Sequence, residues 1–263
     1  MGRDEGRPID MRALVISDIH ANLPALEAVL SNAPKYDAVW NLGDIVGYGP
    51  NPNEVVDLAM KLGGIVVRGN HDRACSGMMN FSEFRNLSLP AADAAHWTQS
   101  VLTKENTQCL AQLRRGPAWP ILRKVQCVHG APRNEDEYLF FREDARDAID
   151  RSRARIIFCG HTHWQVGWSL FRRELTPVRP EYRSSTCAEQ CELPLQKGWR
   201  YLVNPGSVGQ PRDGDWRAAF AVYDDTEALL TWYRVPYRVL TVQRRIRRAE
   251  LPETLATRLR EGR

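Results

Sequence analysis

Short apolar segments alternate with helical patterns of apolar and polar residues over the first 160 positions of the chain. Strands are predicted at 12–17, 38–42, 64–68, 125–128 and 155–159. Helices are predicted at 23–30, after the loop at 47–53 with an end near Gly63, at 81–115 and at 143–151. Pro24, Pro90 and Thr103 are suited to helix starts. This alternation is typical of strands that are covered by crossover helices.

The pattern changes after His163, where strands follow one another without helices between them. These strands are predicted at 165–170, 199–203, 217–223 and 228–235, and they indicate a second sheet packed against the first. Residues 172–198 are rich in Pro, Arg, Glu and Ser, which is typical of an insertion or a flexible loop. A helical tail at 239–260 is interrupted at Leu251 and Pro252.

The chain has 263 residues, enough for one large domain or two small ones. Its formal charge of +4 is spread along the sequence and favours anionic ligands without requiring nucleic acid. No apolar run approaches the roughly 20 residues of a membrane helix, and the first residues lack the apolar core of a secretion signal. We therefore expect a cytoplasmic protein with no membrane partner and no stable nucleic-acid partner. The sequence leaves its oligomeric state open.

The six cysteines are too scattered to form a disulfide framework in a chain of this length. Cys127 and Cys159 lie in apolar strands and are expected to be buried thiols. Cys187 and Cys191 form a Cys-x-x-x-Cys pair in a polar segment. This pair is compatible with half of a zinc site, a redox pair or two loop thiols, and no second pair completes a tetrahedral set.

Each of the first five predicted strands is followed at once by residues that can bind a metal ion. The segments are Asp18-Ile-His20, Gly43-Asp44, Asn70-His71-Asp72, His129-Gly130 and His161-Thr-His163. Of the six histidines, only His96 lies outside this set. Because the carboxyl ends of neighbouring strands lie along one edge of an open sheet, we expect these side chains to converge.

Carboxylate and amide oxygens together with imidazole nitrogens suit manganese, iron or zinc better than calcium. The donors are too many for one tetrahedral ion, whereas two ions about 3.5–4 Å apart, bridged by a carboxylate, would use them all. Taken singly, each segment is also compatible with a turn acid, a helix cap or a histidine bound to backbone carbonyl groups. Their joint occurrence after five successive strands favours the metal site.

These segments, in this order, resemble the motifs of the calcineurin-like metallophosphoesterase superfamily. The strings SDIHANLPALEA, GDIVGYGP and NPGSVGQPRDG, which begin at Ser17, Gly43 and Asn204, resemble its small prokaryotic predicted-phosphodiesterase branch. The likeness begins near Met11, so we expect a flexible extension at 1–10 and a single domain at 11–263 with an insertion loop at about 172–198. The resemblance implies an α/β (α+β) fold, a four-layer αββα sandwich of two mixed β-sheets flanked by helices.

The resemblance also implies ligands for two divalent metal ions, with manganese favoured and iron, zinc, nickel or magnesium as alternatives. One ion would be held by Asp18, His20, Asp44 and His163. The second would be held by Asp44, Asn70, His129 and His161. Asp44 would bridge the ions together with a water or hydroxide, and that hydroxide would attack phosphorus in line.

Two further residues are implied to act in catalysis. His71 would stabilise the transition state or protonate the leaving oxygen. Asp72 would either orient His71 or cap the following helix. Protein Ser/Thr phosphatases of the superfamily carry Gly-Asp-x-Val-Asp-Arg-Gly where this chain has Gly-Asp-Ile-Val-Gly-Tyr-Gly at 43–49. A phosphoprotein substrate is therefore disfavoured.

The substrate itself needs positive charge near the metal ions. Arg68, Arg73 and Arg212 are candidates to bind phosphate oxygens, and each is also compatible with a structural ion pair. Trp164 and Trp168 are candidates to stack a nucleobase, and the alternative for both is packing in the core.

The sequence therefore predicts a dinuclear-metal-dependent phosphoesterase that hydrolyses a small phosphodiester, nucleotide or dinucleoside polyphosphate. The alternatives are a non-enzymatic metal-binding scaffold of the same fold and a nuclease. The complete ligand set argues against the scaffold, and no added DNA-binding domain or coiled coil is evident for a nuclease. The insertion at 172–198 would lid the site, shape an interface or be disordered.

Overall fold

The computed structural model describes residues 11–121 and 124–263. The predicted extension at 1–10 lies outside the described residues. The strands are β1 Arg12–Ile16, β2 Ala38–Asn41, β3 Ile65–Val66, β4 Ala118–Ile121, β5 Val125–Cys127, β6 Ile156–Phe158, β7 Gln165–Phe171, β8 Glu174–Val178, β9 Glu189–Pro194, β10 Arg200–Pro205, β11 Ala218–Asp224 and β12 Leu229–Val235. The helices are α1 Leu23–Asn32, α2 Pro52–Leu62, α3 Asn70–Cys75, α4 Phe81–Phe84, α5 Leu89–Val101, α6 Lys104–Ala111, α7 Arg142–Arg151, α8 Val239–Arg248 and α9 Glu253–Glu261.

Within the described parts of the chain, two six-stranded sheets form the centre of the fold. Their strand orders are β3-β2-β1-β11-β12-β9 and β4-β5-β6-β10-β7-β8. Both sheets are mixed, since β1 is parallel to β2 and antiparallel to β11, and β10 is parallel to β6 and antiparallel to β7. The expectation that the first five strands share one sheet is wrong, because β5 and β6 belong to the second sheet. Strand partners are set by long-range contacts that a local hydrophobic pattern does not contain.

Alternate residues along each central strand face different layers, as the two-residue period of a strand requires. In β1, Leu14 and Ile16 pack with the helices that cover the first sheet. Ala13 and Val15 face the space between the sheets, with Trp40 of β2. A third cluster lies between the second sheet and α7. The layers are therefore helix, sheet, sheet and helix, and the predicted four-layer sandwich is confirmed.

The segment at 172–198 extends both sheets. Its strand β8 pairs antiparallel with β7 at one edge of the second sheet, and β9 pairs antiparallel with β12 at one edge of the first. The prediction that this segment is a loop is therefore wrong, because two of its stretches are strands of the sheets. Both strands lie at sheet edges and are mostly exposed or half-buried, so their sequences lack the apolar runs that identified the central strands.

The long helical pattern at 81–115 is divided into α4, α5 and α6. Pro90 lies in the first turn of α5, and the Thr103 hydroxyl caps α6 by accepting a hydrogen bond from the backbone N–H of Asn106 at 3.1 Å. The predicted interruption at Leu251 and Pro252 separates α8 from α9. Among the described residues, no helix combines the length and the apolar composition needed to cross a membrane.

Candidate metal centre

The predicted ligands lie in loops that leave strands of both sheets. Asp18 and His20 follow β1, Asp44 follows β2, and Asn70 begins α3. The loops after β5 and β6 of the second sheet carry His129 and the pair His161 and His163. The site therefore lies where the carboxyl ends of strands from two sheets meet, and not along the edge of one sheet.

Seven side chains form two buried clusters that share one carboxylate. In the first, one ligand atom from each residue lies within 4.8 Å of the others, and the residues are Asp18, His20, Asp44 and His163. The second is defined by the same distance and contains Asp44, His129 and His161. The Oδ1 atom of Asn70 lies 3.3 Å from Nε2 of His129, which places this amide at the second cluster.

The shared carboxylate has the geometry of a bridging ligand. Oδ2 of Asp44 lies 3.6 Å from Nε2 of His20 and 3.4 Å from Nε2 of His129. This oxygen is fully buried and has no hydrogen-bond partner among the described residues. Leaving a buried carboxylate oxygen unpaired is costly, so its position between two imidazoles fits a pair of cations.

Backbone carbonyl groups orient the four histidines of the clusters. The Nδ1–H groups of His20 and His129 donate to the carbonyl oxygens of Val46 and Leu42 at 3.1 and 2.8 Å. His163 donates from Nδ1 to Gln210 at 2.6 Å, and His161 donates from Nε2 to Asp136 at 3.2 Å. Because a carbonyl oxygen can only accept, the other nitrogen of each neutral ring is free for a metal ion. In the second cluster those free nitrogens, of His129 and His161, lie 3.1 Å apart.

Five of the clustered residues have left-handed backbone conformations. Their φ angles are 52° at Asp18, 48° at His20, 53° at Asp44, 68° at His161 and 60° at His163. Such a conformation costs about 1–2 kcal/mol for a residue with a side chain and is concentrated at functional sites. The two left-handed residues in the Gly-His-Thr-His segment explain how histidines two positions apart enter different clusters.

The glycine before this pair is required by close packing. A Cβ atom at Gly160 would lie 1.9 Å from the hydroxyl oxygen of Ser17. The amide of Asn204 holds the same turn, donating to the carbonyl oxygen of Gly160 at 2.8 Å and to the Thr162 hydroxyl at 3.0 Å. Cys159 is buried, and its thiol lies 3.7 Å from the carbonyl oxygen of Val203 and belongs to neither cluster.

Burial and charge together set the ionisation of the centre. Burial raises the pKa of Asp18, and the charge of Asp44 raises it further. Burial alone would also raise the pKa of Asp44, but His129 and His71 hold it well below its usual range. Burial opposes protonation of His129, yet Asp44 and Asp18 raise its pKa to about 10. The anionic Asp44 thus attracts positive charge at the point that the two clusters share.

His71 lies at the edge of the first cluster. Its ring centroid is 4.9 Å from that of His20, and its backbone N–H donates to Oδ1 of Asp44 at 2.8 Å. Neither ring nitrogen has a hydrogen-bond partner among the described residues, and Nδ1 is buried. Burial lowers the pKa of His71 to about 4, against the attraction of Asp44.

Asp72 does not orient His71. Its carboxylate accepts hydrogen bonds from four backbone N–H groups, those of Asp44, Ile45, Val46 and Gly69, at 2.8–3.3 Å. The Gly69 contact caps α3, which is the alternative that the sequence left open. The other three contacts fix the loop that carries Asp44, so the structure corrects the catalytic assignment of Asp72 to a positioning role.

Two of the three candidate arginines are neutralised by carboxylates. Arg68 forms two hydrogen bonds to Glu135, at 2.8 and 3.0 Å. Arg73 lies 2.7 Å from Asp136 and 3.2 Å from Glu83. These ion pairs fix the segment whose carbonyl group orients His161, so the expectation of phosphate binding by Arg68 and Arg73 is replaced by a structural role.

Arg212 pairs with no carboxylate of the residues that the structure describes. Its guanidinium donates to the Tyr48 hydroxyl at 3.3 Å and to the Gln210 side-chain oxygen at 3.2 Å. Its backbone N–H donates to the carbonyl oxygen of His163 at 3.3 Å. Burial is the main cause that lowers the pKa of His163, and the positive charge of Arg212 is the second. The guanidinium therefore acts electrostatically on the first cluster.

A row of aromatic rings leads from the second cluster to the surface. The Tyr138 ring stacks on His161 with centroids 3.8 Å apart and an interplanar angle of 15°. Phe140 stacks on Tyr138 at 5.3 Å, and Trp164 meets Phe140 edge-on at 5.3 Å. Tyr138 is 44% exposed and Trp164 is 37% exposed. Trp168 instead packs against the core between the second sheet and α7, so its proposed stacking role is wrong.

Sequence reasoning missed Tyr138, Phe140, Tyr48 and Arg258 as residues of the site. Arg258 lies in α9, far along the chain from every motif, and no local pattern distinguishes it from its neighbours. Tyr48 was visible as a departure from the phosphatase motif, but the sequence did not show that it contacts arginines. The aromatic residues at 138–141 had a usable signal, because a cluster of aromatic residues in a loop is unusual.

Comparisons with known proteins agree with this geometry. The family model described as calcineurin-like phosphoesterase matches residues 11–165. The crystal structure of a metallophosphoesterase from Sphaerobacter thermophilus has a TM-score of 0.79 and 41% identity, covering 96% of this chain and 99% of that chain. An uncharacterized protein of Methanocaldococcus jannaschii is 34% identical over 95% of this chain and 97% of its own length. A symmetrical bis(5'-nucleosyl)-tetraphosphatase of Baumannia cicadellinicola subsp. Homalodisca coagulata is 30% identical over 45% of this chain, and the match spans about half of that protein, 47%.

Proposed function

The chain belongs to the calcineurin-like phosphoesterase family, whose members are phosphoric ester hydrolases, and from this premise we propose that it hydrolyses a small nucleotide or dinucleoside polyphosphate with two divalent metal ions. The observation that carries the proposal is the Asp44 carboxylate shared by two clusters of ligand atoms. Its Oδ2 atom has no hydrogen-bond partner among the described residues and lies between the imidazoles of both clusters, so Asp44 would serve as a ligand to both ions.

The donors divide between the two ions according to the cluster in which they lie. The ligands proposed for the first ion are Asp18, His20, Asp44 and His163. Those proposed for the second are Asp44, Asn70, His129 and His161. Mixed carboxylate, amide and imidazole donors suit manganese, which we propose as the metal. When bound, two such ions lower the pKa of water and neutralise charge that develops on a phosphate group.

The chain's own residues would position the substrate around this pair. The unpaired ring of His71 adjoins His20 and is available to hydrogen-bond a phosphate oxygen or the leaving oxygen. Arg212 has donors on the same side, held by Tyr48 and Gln210. A guanidinium that is not neutralised by a carboxylate can bind phosphate oxygens.

The aromatic row supports a nucleotide as the substrate. Tyr138 exposes ring surface directly beside His161, and Trp164 exposes ring surface beside Phe140, so a base can stack on this row while its phosphate reaches the metal centre. The named activity of the tetraphosphatase relative agrees with a substrate of this class, over the half of that protein that is matched.

Purified protein with Mn²⁺ tests the proposal against a panel of substrates. The panel contains bis-p-nitrophenyl phosphate, p-nitrophenyl phosphate, diadenosine tetraphosphate and single-stranded DNA. We expect hydrolysis of diadenosine tetraphosphate that a chelator abolishes, together with turnover of at least one p-nitrophenyl ester.

The other outcomes identify the alternatives. A folded protein that binds metal and hydrolyses nothing in the panel would be a scaffold. Preferential degradation of DNA would indicate a nuclease. Histidine variants are compared with His96→Ala, because His96 contacts the Phe84 ring and lies outside both clusters.

A further inference from the structure

Two arginines from separate segments meet over the ring of Tyr48. The guanidinium carbon of Arg258, in α9, lies 4.6 Å from the ring centroid, and that of Arg212 lies 5.7 Å from it. Both guanidinium groups donate to the same oxygen, Oε1 of Gln210, at 2.7 Å from Arg258 and 3.2 Å from Arg212. Two cations therefore converge on one neutral amide oxygen and one phenol ring.

Neither of these guanidinium groups forms an ion pair with a carboxylate of the described residues. Two arginines that the fold buries fully are paired, Arg217 with Asp215 at 2.6 Å and Arg234 with Asp213. Burying cations without compensating charge costs free energy. Arg212 and Arg258 are both partly buried, and no carboxylate of the described residues offsets their charge.

The environment of Arg258 shows this unfavourable free energy. Its Nε atom is buried without a hydrogen-bond partner among the described residues. Burial lowers the pKa of its guanidinium to about 10, and repulsion by Arg212 contributes to that shift. An anion bound between the two groups would relieve the repulsion and satisfy the free donors.

The pair lies directly beside the metal centre. The Tyr48 ring lies 4.6 Å from the His20 ring and 4.3 Å from the His71 ring, centroid to centroid. Gln210, which accepts from both arginines, also accepts the Nδ1–H of His163 through its backbone oxygen. One aromatic ring and one residue therefore connect the two cations to ligands of the first cluster.

We propose that Arg212 and Arg258 form a second phosphate subsite, which binds the phosphoryl group next to the one that is cleaved. The ligand class is a phosphoanhydride chain, in which a neighbouring phosphate lies adjacent to the reacting phosphorus. This inference rests on the proposed function and adds to it a selectivity for substrates with two or more linked phosphates. A nucleotide and an inorganic polyphosphate share this chemistry.

Substrates with one and with several phosphorus atoms test the subsite. The Mn²⁺-loaded enzyme is assayed with bis-p-nitrophenyl phosphate and with diadenosine tetraphosphate. Arg258→Met removes charge-assisted hydrogen bonds to the neighbouring phosphate. The ratio of kcat/KM for diadenosine tetraphosphate to kcat/KM for bis-p-nitrophenyl phosphate is therefore expected to fall by about tenfold or more in this variant. Arg258→Lys, which keeps the charge, is expected to retain part of that ratio.

The matched control is Arg260→Met, because Arg260 lies on the same helix and is exposed. We expect this variant to keep the wild-type ratio. If Arg258→Met lowered kcat/KM equally for both substrates, the subsite would be overturned and Arg258 would have a structural role. An unchanged ratio would overturn it as well.

Binding to the metal-free protein gives a readout that does not depend on turnover. By calorimetry, wild-type protein is expected to bind inorganic tripolyphosphate more tightly than orthophosphate, and Arg258→Met is expected to lose that preference. If wild-type protein hydrolyses no ester but still binds tripolyphosphate more tightly than orthophosphate, the subsite is supported and the proposed function fails. Tighter binding of diadenosine tetraphosphate than of tripolyphosphate assigns the subsite to nucleotides, and equal binding assigns it to the free chain. Absence of any preference in wild-type protein would contradict the subsite.

Discussion

The Nε2 atoms of His20 and His163 lie 3.1 Å apart at the first cluster. Each ring donates its Nδ1–H to a backbone carbonyl oxygen, so both Nε2 atoms carry lone pairs when the rings are neutral. Two lone pairs at this distance repel each other, and a divalent cation held by His20 and His163 would remove that repulsion. The fold thus holds the histidines in an arrangement that a metal ion would stabilise.

Metal binding is therefore expected to stabilise the folded chain. At a free Mn²⁺ concentration about 100 times the dissociation constant, the gain is about 2.7 kcal/mol, which corresponds to a rise in Tm of about 5–10 °C for a domain of this size. Thermal unfolding with Mn²⁺ and with a chelator measures it. His163→Ala is expected to lose most of the rise and His96→Ala to keep it, and equal Tm values in Mn²⁺ and chelator would contradict the expectation.

His71→Ala is expected to lower kcat about 10²- to 10⁴-fold while leaving both metal ions bound. The reason is that the His71 ring adjoins the centre but makes no hydrogen bond to any of the proposed ligands. Steady-state kinetics and metal analysis on the same preparation separate the two effects. Wild-type turnover in this variant would remove His71 from the mechanism, and loss of metal would make it a structural residue.

Asp72→Asn is expected to weaken both stability and metal binding. The change replaces a carboxylate that accepts four backbone N–H groups with an amide whose NH₂ group faces some of those donors. We expect a loss of about 2–4 kcal/mol in the free energy of unfolding and a 10- to 100-fold weaker Mn²⁺ affinity.

Denaturant titration and Mn²⁺ titration measure the two effects of Asp72→Asn. Asp93→Asn serves as the control, because Asp93 is an exposed residue of α5. If Asp72→Asn matched this control in both measurements, the positioning role of Asp72 would be refuted.

Trp164→Ala is expected to weaken the binding of nucleotides more than that of their base-free analogues. Stacking of a base on an aromatic side chain contributes about 1–3 kcal/mol. The inhibition constants of AMP and ribose 5-phosphate, which differ by the base, are compared in wild type and variant. We expect the advantage of AMP to shrink at least about fivefold. If both constants changed equally, the aromatic row would not bind the base.

The candidate metal-binding residues could be predicted from the sequence because they come directly after apolar strands, and the end of a strand is a local feature of the sequence. Asp18, Asp44, His129 and His161 were each identified in this way. The pairing of the strands was not predictable by the same means, because β1 pairs with β11, about 200 residues later. The edge strands β8 and β9 were missed because an exposed edge carries little hydrophobic pattern.

Residues outside the motifs needed the three-dimensional structure. Arg258 reaches the centre only because α9 packs beside the loop that carries Tyr48, and a single arginine in an amphipathic helix has no distinguishing context in the sequence. The neutralisation of Arg68 and Arg73 likewise depends on the acids at 135 and 136, which are more than 60 residues away. Phosphate-binding and structural arginines therefore cannot be separated by composition alone.

The number of Mn²⁺ ions bound per chain tests the central assignment most directly. Equilibrium dialysis with metal analysis is expected to give two ions for the wild type, about one each for His161→Ala and His163→Ala, and close to none for Asp44→Ala, because Asp44 belongs to both clusters. Circular dichroism verifies that each variant is folded. One ion or none in the folded wild-type protein, or two ions in Asp44→Ala, would contradict the dinuclear centre.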